Sequence, residues 1–83
     1  MSQFKELLKI SDLNMASAML CAGFNIIGID DTNPSRLYFY FDRNPDTEGA
    51  VKRYWGGNLM VDAKALGSYR REILTMIHQG DRV

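Results

Sequence analysis

Three observations predict an α+β fold, a small antiparallel sheet packed by about three helices in the order β-α-β-β-α-α. Two β-prone runs, FNIIGID and RLYFYFD, flank the turn-rich DTNPS, which is the pattern of a hairpin. Cap and stop residues mark off helical lengths around it, from Ser11 to Gly23, from Asn44 to Gly56, and from Asp62 onward. The 83 residues contain no repeat, linker or low-complexity segment, so 1–83 is read as a single compact domain.

At the N-terminus, SQFKELLKI admits two readings. Phe4, Leu7 and Leu8 fit a helical turn, while Leu8 and Ile10 fit a short strand, which we place at the end of the segment. Ser11 then serves as the cap of a first helix carrying Leu13, Ala16, Ser17 and Leu20 at helical spacing, and Gly23 stops it. In the hairpin, a loop over 31–35 sets Asp30 opposite Arg36, Gly28 opposite Tyr38, Ile26 opposite Tyr40 and Phe24 opposite Asp42. Alternation then puts Ile27, Ile29, Leu37, Phe39 and Phe41 on one face and Ile26, Arg36, Tyr38 and Tyr40 on the other, with Gly28 letting the Tyr38 ring lie flat. Asn44-Pro45 begins a second helix that runs to about Trp55, and Gly56-Gly57 ends it. A short extended piece over 59–61 precedes a third helix, capped by Asp62, whose apolar stripe is Leu66, Tyr69, Ile73, Met76 and Ile77.

The stretch VKRYWGG sets cations beside large rings, as a phosphate-and-base site would. On a helix, however, Thr47, Val51, Tyr54 and Trp55 share a sector while Arg53 points away from it and Lys52 sits four residues beyond Glu48. Tyr54 and Trp55 are therefore expected to face the core, with the Tyr hydroxyl and Trp N–H reaching the rim of a site as the competing reading. The glycine pair follows a helix rather than opening one, so it reads as a stop and not as a phosphate loop.

Composition excludes several classes. Hydrophobic residues at 46% and charged residues at 24% suit a folded chain, although one this short buries only roughly 60–65% of its unfolded surface and so has a modest core. Ten Lys and Arg balance ten Asp and Glu, so no long-range field favours nucleic acid or an anionic membrane. Cys21 is the single cysteine and His78 the single histidine, which leaves no disulfide, zinc ligand set or Cys-His nucleophile pair to assemble. His78 is expected to favour the end of the third helix electrostatically. Serines 11, 17, 35 and 68 lack the nucleophile-elbow pattern, and Asp30-Asp31 lie at the opposite end of the hairpin from Asp42 and Asp46. Lys64, Arg70 and Arg71, interrupted by Glu72, read as a solvated helix face. No run approaches the ~20 apolar residues that span a bilayer, and no basic-then-apolar leader is present, which points to the cytoplasm. RLYFYF is similar in composition to the aromatic strand of RNA-recognition modules but lacks their glycine and basic pattern.

Taken in order, NPSRLYFYFDRNP, AVKRYWGG, MVDAKAL and YRREI resemble a domain-of-unknown-function family of very short bacterial and phage-encoded proteins. The resemblance covers about residues 8 to 77 and rests on capping and packing signals, with no catalytic residues to carry over. It implies a phage or mobile-element accessory protein in a bacterial host cell, of the kind that blocks a host enzyme or holds a signalling nucleotide.

The leading expectation is a non-enzymatic binding protein, homo-oligomeric, without cofactor, metal or membrane association, that engages a host protein or a nucleotide-like ligand. Its contact residues are Arg36, Tyr38 and Tyr40 on the hairpin, the Lys52 and Arg53 ridge, and Tyr54 and Trp55 at the helix end. One alternative is a single-stranded nucleic-acid binder that stacks bases on the tyrosines and meets phosphates with Lys52, Arg53 and Arg71. The other is a small metal-dependent hydrolase built on the acidic residues.

Overall fold

Alternation along RLYFYFD decides the architecture: Phe39 and Phe41 are buried, Tyr38 and Tyr40 half-buried, and Arg36 and Asp42 exposed at the ends. The computed structural model describes residues 7–33 and 35–80, so the helix-or-strand question at residues 2–6 lies outside the described residues, as does the His78 side chain. The elements are β1 (Leu7–Ile10), α1 (Leu13–Cys21), β2 (Gly28–Asn33), β3 (Arg36–Asp42), α2 (Pro45–Trp55) and α3 (Ala63–Gly80). This is the predicted α+β order, and the tentative N-terminal strand is real: β1 and β2 flank β3 in an antiparallel sheet ordered β1-β3-β2.

The central strand has a dry face and a wet one. Phe39 and Phe41 meet Leu8 and Ile10 of β1, Met15, Ala16 and Met19 of α1, Ala50 of α2 and Ile73 of α3 in one hydrophobic cluster. All three described helices thus contribute to the same side of the sheet. Small residues make this close approach of α1 workable: Ala16 and Ser17 are fully buried, and the Ser17 hydroxyl is satisfied by donating to the Leu13 carbonyl at 2.8 Å. Arg70 of α3 reaches across to α1, its Nε donating to Asn14 Oδ1 at 3.1 Å, so it is more than part of a solvated face.

Several local expectations are corrected. Register in the hairpin is shifted by two residues: Gly28 pairs with Tyr40, Ile29 with Phe39 and Asp30 with Tyr38, while Arg36 faces Asn33 instead of Asp30. The cause is a tighter hairpin end, where Asp30 Oδ1 accepts from the Thr32 N–H at 3.0 Å and Asn33 Oδ1 accepts from the Ser35 N–H at 2.9 Å, with a bulge between Asp30 and Asn33. Because side chains repeat every two residues, this slip leaves those of β3 on their predicted faces. Ile26 and Ile27 exchange roles, Ile26 packing on the core and Ile27 being 50% exposed, since β2 begins only at Gly28 and the alternation does not extend back through them.

Asp12 rather than Ser11 caps α1, its carboxylate accepting from the Asn14 and Met15 N–H groups. Residues 59–61 form no strand, because the Asn58 and Leu59 N–H groups both turn back to the Arg53 carbonyl. The start of α2 is tied to the sheet: Asn44 and Thr47 form a reciprocal capping box, and the buried Thr47 hydroxyl donates to the Asp42 carbonyl at the end of β3, 2.8 Å away. Thr47→Val keeps the shape but strands the Asn44 N–H and the Asp42 carbonyl, so we predict a loss of about 1–3 kcal/mol in urea unfolding; an unchanged midpoint would contradict this role for the hydroxyl.

Candidate functional site: the open face of the sheet

Strand alternation and pairing place Leu7 and Lys9 of β1, Arg36, Tyr38, Tyr40 and Asp42 of β3, and Gly28 and Asp30 of β2 on the face away from the helices. None of these residues belongs to the hydrophobic cluster or packs against it. Lys9 stands opposite Tyr40 in the ladder and leans diagonally, its Nζ lying 4.3 Å from the centre of the Tyr38 ring. Tyr40 lies against Gly28, where an added Cβ would meet ring atom Cδ2 at 3.8 Å; the glycine accommodates Tyr40 and not Tyr38, and the contact is an ordinary one.

Asp30 is the electrostatic anchor of the β2 edge. Its Oδ1 accepts from the Thr32 hydroxyl at 2.6 Å and from the Thr32 N–H, bonds that hold its carboxyl below the usual range. The Lys9 charge and the Tyr40 hydroxyl add smaller contributions in the same direction, against an opposing effect of desolvation. Across the face, Lys9 and Arg36 balance Asp30 and Asp42, so a large aromatic area sits in a neutral frame with its charges separated.

Cavities open at the margins of this face, away from its tyrosines. A cavity of about 380 Å³ is lined by Leu13, Leu37, Phe39, Leu74 and Ile77, and by Ser11, Ser35 and Arg36. A second, of about 330 Å³, opens between β1 and α2 and is lined by Leu8, Ile10, Met15, Val51 and Trp55. Neither Tyr38 nor Tyr40 lines either one.

The remaining candidate residues are on α2 and do not join this face. Tyr54 packs against the core as expected, and burial, followed by the Asp12 charge, pushes its phenol up. Trp55 does not: it is 68% exposed, its ring edge-on to Tyr54 at 5.5 Å, and it lines the cavity beside β1. Lys52 and Arg53 are exposed, and the Arg53 guanidinium folds back toward Gly49. Glu48 pairs with Arg43 at 3.1 Å rather than with Lys52. Lys9 was not singled out from sequence, and Asp30 was read as the cross-strand partner of Arg36 rather than as a member of this face; the alternation of Leu8 and Ile10 carried the signal for Lys9, which has to point the opposite way once β1 is a strand.

Among the described residues no group of three or more His, Cys, Asp or Glu is placed to hold a metal ion, and no helix is long and apolar enough to cross a membrane. Burial and then the Asp62 charge raise the Cys21 thiol pKa. Against known families, the profile described as Domain of unknown function (DUF5659) matches residues 5–76. No curated protein and no solved structure matches the chain.

Two measurements check this geometry. Trp55 should emit at long wavelength and be readily quenched by iodide in the folded protein, whereas blue-shifted, protected emission would put it in the core. Because the carboxyl of Asp30 is depressed in the fold, its contribution to stability is complete above the ordinary carboxylate pKa and disappears as pH falls through the lower folded value. Asp30→Asn should therefore be less stable than wild type at pH 7, by a margin that narrows as the pH is lowered through the acid range; a gap that does not depend on pH would contradict this.

Proposed function

We propose, from the premise that the chain belongs to the DUF5659 family, that it is a non-enzymatic binding protein whose open sheet face is a protein contact surface. The observation that carries this reading is the aromatic face bearing Tyr38 and Tyr40, which the helices leave uncovered because they all pack on the Phe39 and Phe41 side. Tyrosine and arginine are the residue types that concentrate binding energy in protein interfaces, and neither tyrosine lines either of the two cavities, the concave kind of site that a small molecule needs. A nucleotide-like ligand is disfavoured on that ground.

The charge pattern argues against the nucleic-acid alternative. Stacking requires free ring faces and converging cations, yet the Lys9 ammonium already covers Tyr38, and Asp30 and Asp42 put carboxylates where phosphates would run. Lys52 and Arg53 sit on α2, whose core residue Ala50 packs on the opposite side of the sheet. A hydrolase would need its acids together, and Asp30 pairs with Tyr38, four residues along β3 from Asp42. In the mobile-element setting that the family resemblance implies, such a protein works one to one by blocking a host protein in the bacterial cytoplasm, without cofactor or turnover.

A photo-crosslinking residue at position 40 tests the reading directly. Irradiated in bacterial cells making the protein, it should give nuclease-resistant protein adducts, and the same probe at Lys64 should not. Adducts that nuclease removes, or none at position 40, would overturn the proposal.

A further inference from the structure

We infer that the occupant of the open face is a second copy of this chain, related by a two-fold axis that crosses β3 at Phe39. This rests on the face being a protein contact surface and identifies its partner. Along β3 the open-face residues read Arg36, Tyr38, Tyr40, Asp42: a cation, two rings, an anion, with Phe39 at the midpoint. A two-fold contact pairs residue i with j and j with i. An axis lying in the interface and running across the strands at Phe39 lays one β3 antiparallel over the other. Arg36 then meets Asp42 of the second copy, Tyr38 meets its Tyr40, and each pair occurs twice.

The alternative axis, along β3, sets Arg36 on Arg36 and Asp42 on Asp42, which is repulsive; the order of charges therefore selects one geometry. The flanking strands agree with it. Asp30 shares a row with Tyr38 and Gly28 shares one with Tyr40, so the crosswise axis brings Asp30 toward Gly28 of the second copy and the Tyr40 ring that lies against it. Lys9, in the Tyr40 row of β1, is carried past the end of the other β1 rather than onto its counterpart. Lys52 and Arg53 of α2 are exposed and stay accessible to a host target.

Area sets the strength of the contact. Strands of four, six and seven residues at ~3.3 Å each, spaced ~4.8 Å, present roughly 270 Å² in projection per copy. A standard stable interface buries about 800 Å² per partner, so the dimer is expected to be weak and concentration-dependent.

Sedimentation velocity over a concentration series provides the test, using Arg36→Asp and Asp42→Arg, both at exposed positions. Wild type should shift toward dimer as concentration rises, and each single variant should associate at least tenfold more weakly with its circular dichroism unchanged. An equimolar mixture of the two variants should regain dimer, since each copy then meets the opposite charge at both pairs, and the double variant should regain it alone. A wild type that stays monomeric, single variants that dimerise normally, or a mixture that fails to recover would each overturn the inference. A monomeric wild type whose position-40 probe still labels other proteins removes the second copy as occupant and leaves the contact face standing; loss of both results removes both.

Discussion

Phe39 and Phe41 are the two side chains on which the rest of the arrangement depends. They project from the same side of the central strand, are essentially fully buried, and gather Leu8 and Ile10 from the neighbouring strand together with one or more residues from each helix. Burying a phenylalanine is worth about 1.5–3 kcal/mol, and in a domain this small few other sources of comparable size exist. Once the three described helices are committed to that side, none of them is left to cover the other. The half-buried tyrosines follow from this geometric fact: they are large enough to shield the strands beneath them and polar enough to stand in water.

Short polar side chains then fix where that face begins and ends. Asp30 and Asn33 close the hairpin through bonds to backbone N–H groups two residues on, and Thr47 fastens the start of α2 to the last carbonyl of β3. These bonds are local, and each satisfies a backbone group that the sheet or helix would otherwise leave open. Their consequence is not local, because they set Arg36 and Asp42 at opposite ends of the aromatic pair and so give the face its direction. A protein contact read from residue types alone would lack that direction.

The element order was legible in the sequence because its signals are strong and short-range: a Pro-Asn-Ser turn between two β-prone runs, Asn44-Pro45 before a helix, paired glycines after it, and Asp62 before the next. The bounds of α2 came out at Pro45–Trp55 for this reason. Faces of β3 were legible too, since a two-residue slip preserves them. What escaped were features set by tertiary position. Trp55 lies at the margin of the stripe formed by Thr47, Ala50, Val51 and Tyr54, and whether a margin residue is buried depends on how far the sheet extends beneath it. Lys9 entered the site only through the pairing of β1 with β3, which no local pattern specifies. At the start of α1 both Ser11 and Asp12 are good caps, and one residue of phase decided between them.

One-sided covering of the sheet can be measured on the rings themselves. At a dilution where the chain is monomeric, a soluble paramagnetic probe should broaden the NMR signals of the Tyr38 and Tyr40 rings strongly and spare those of Phe39 and Phe41. Equal protection of all four rings would mean that the tyrosine face is sealed within a single chain, and the account of the contact surface would fail.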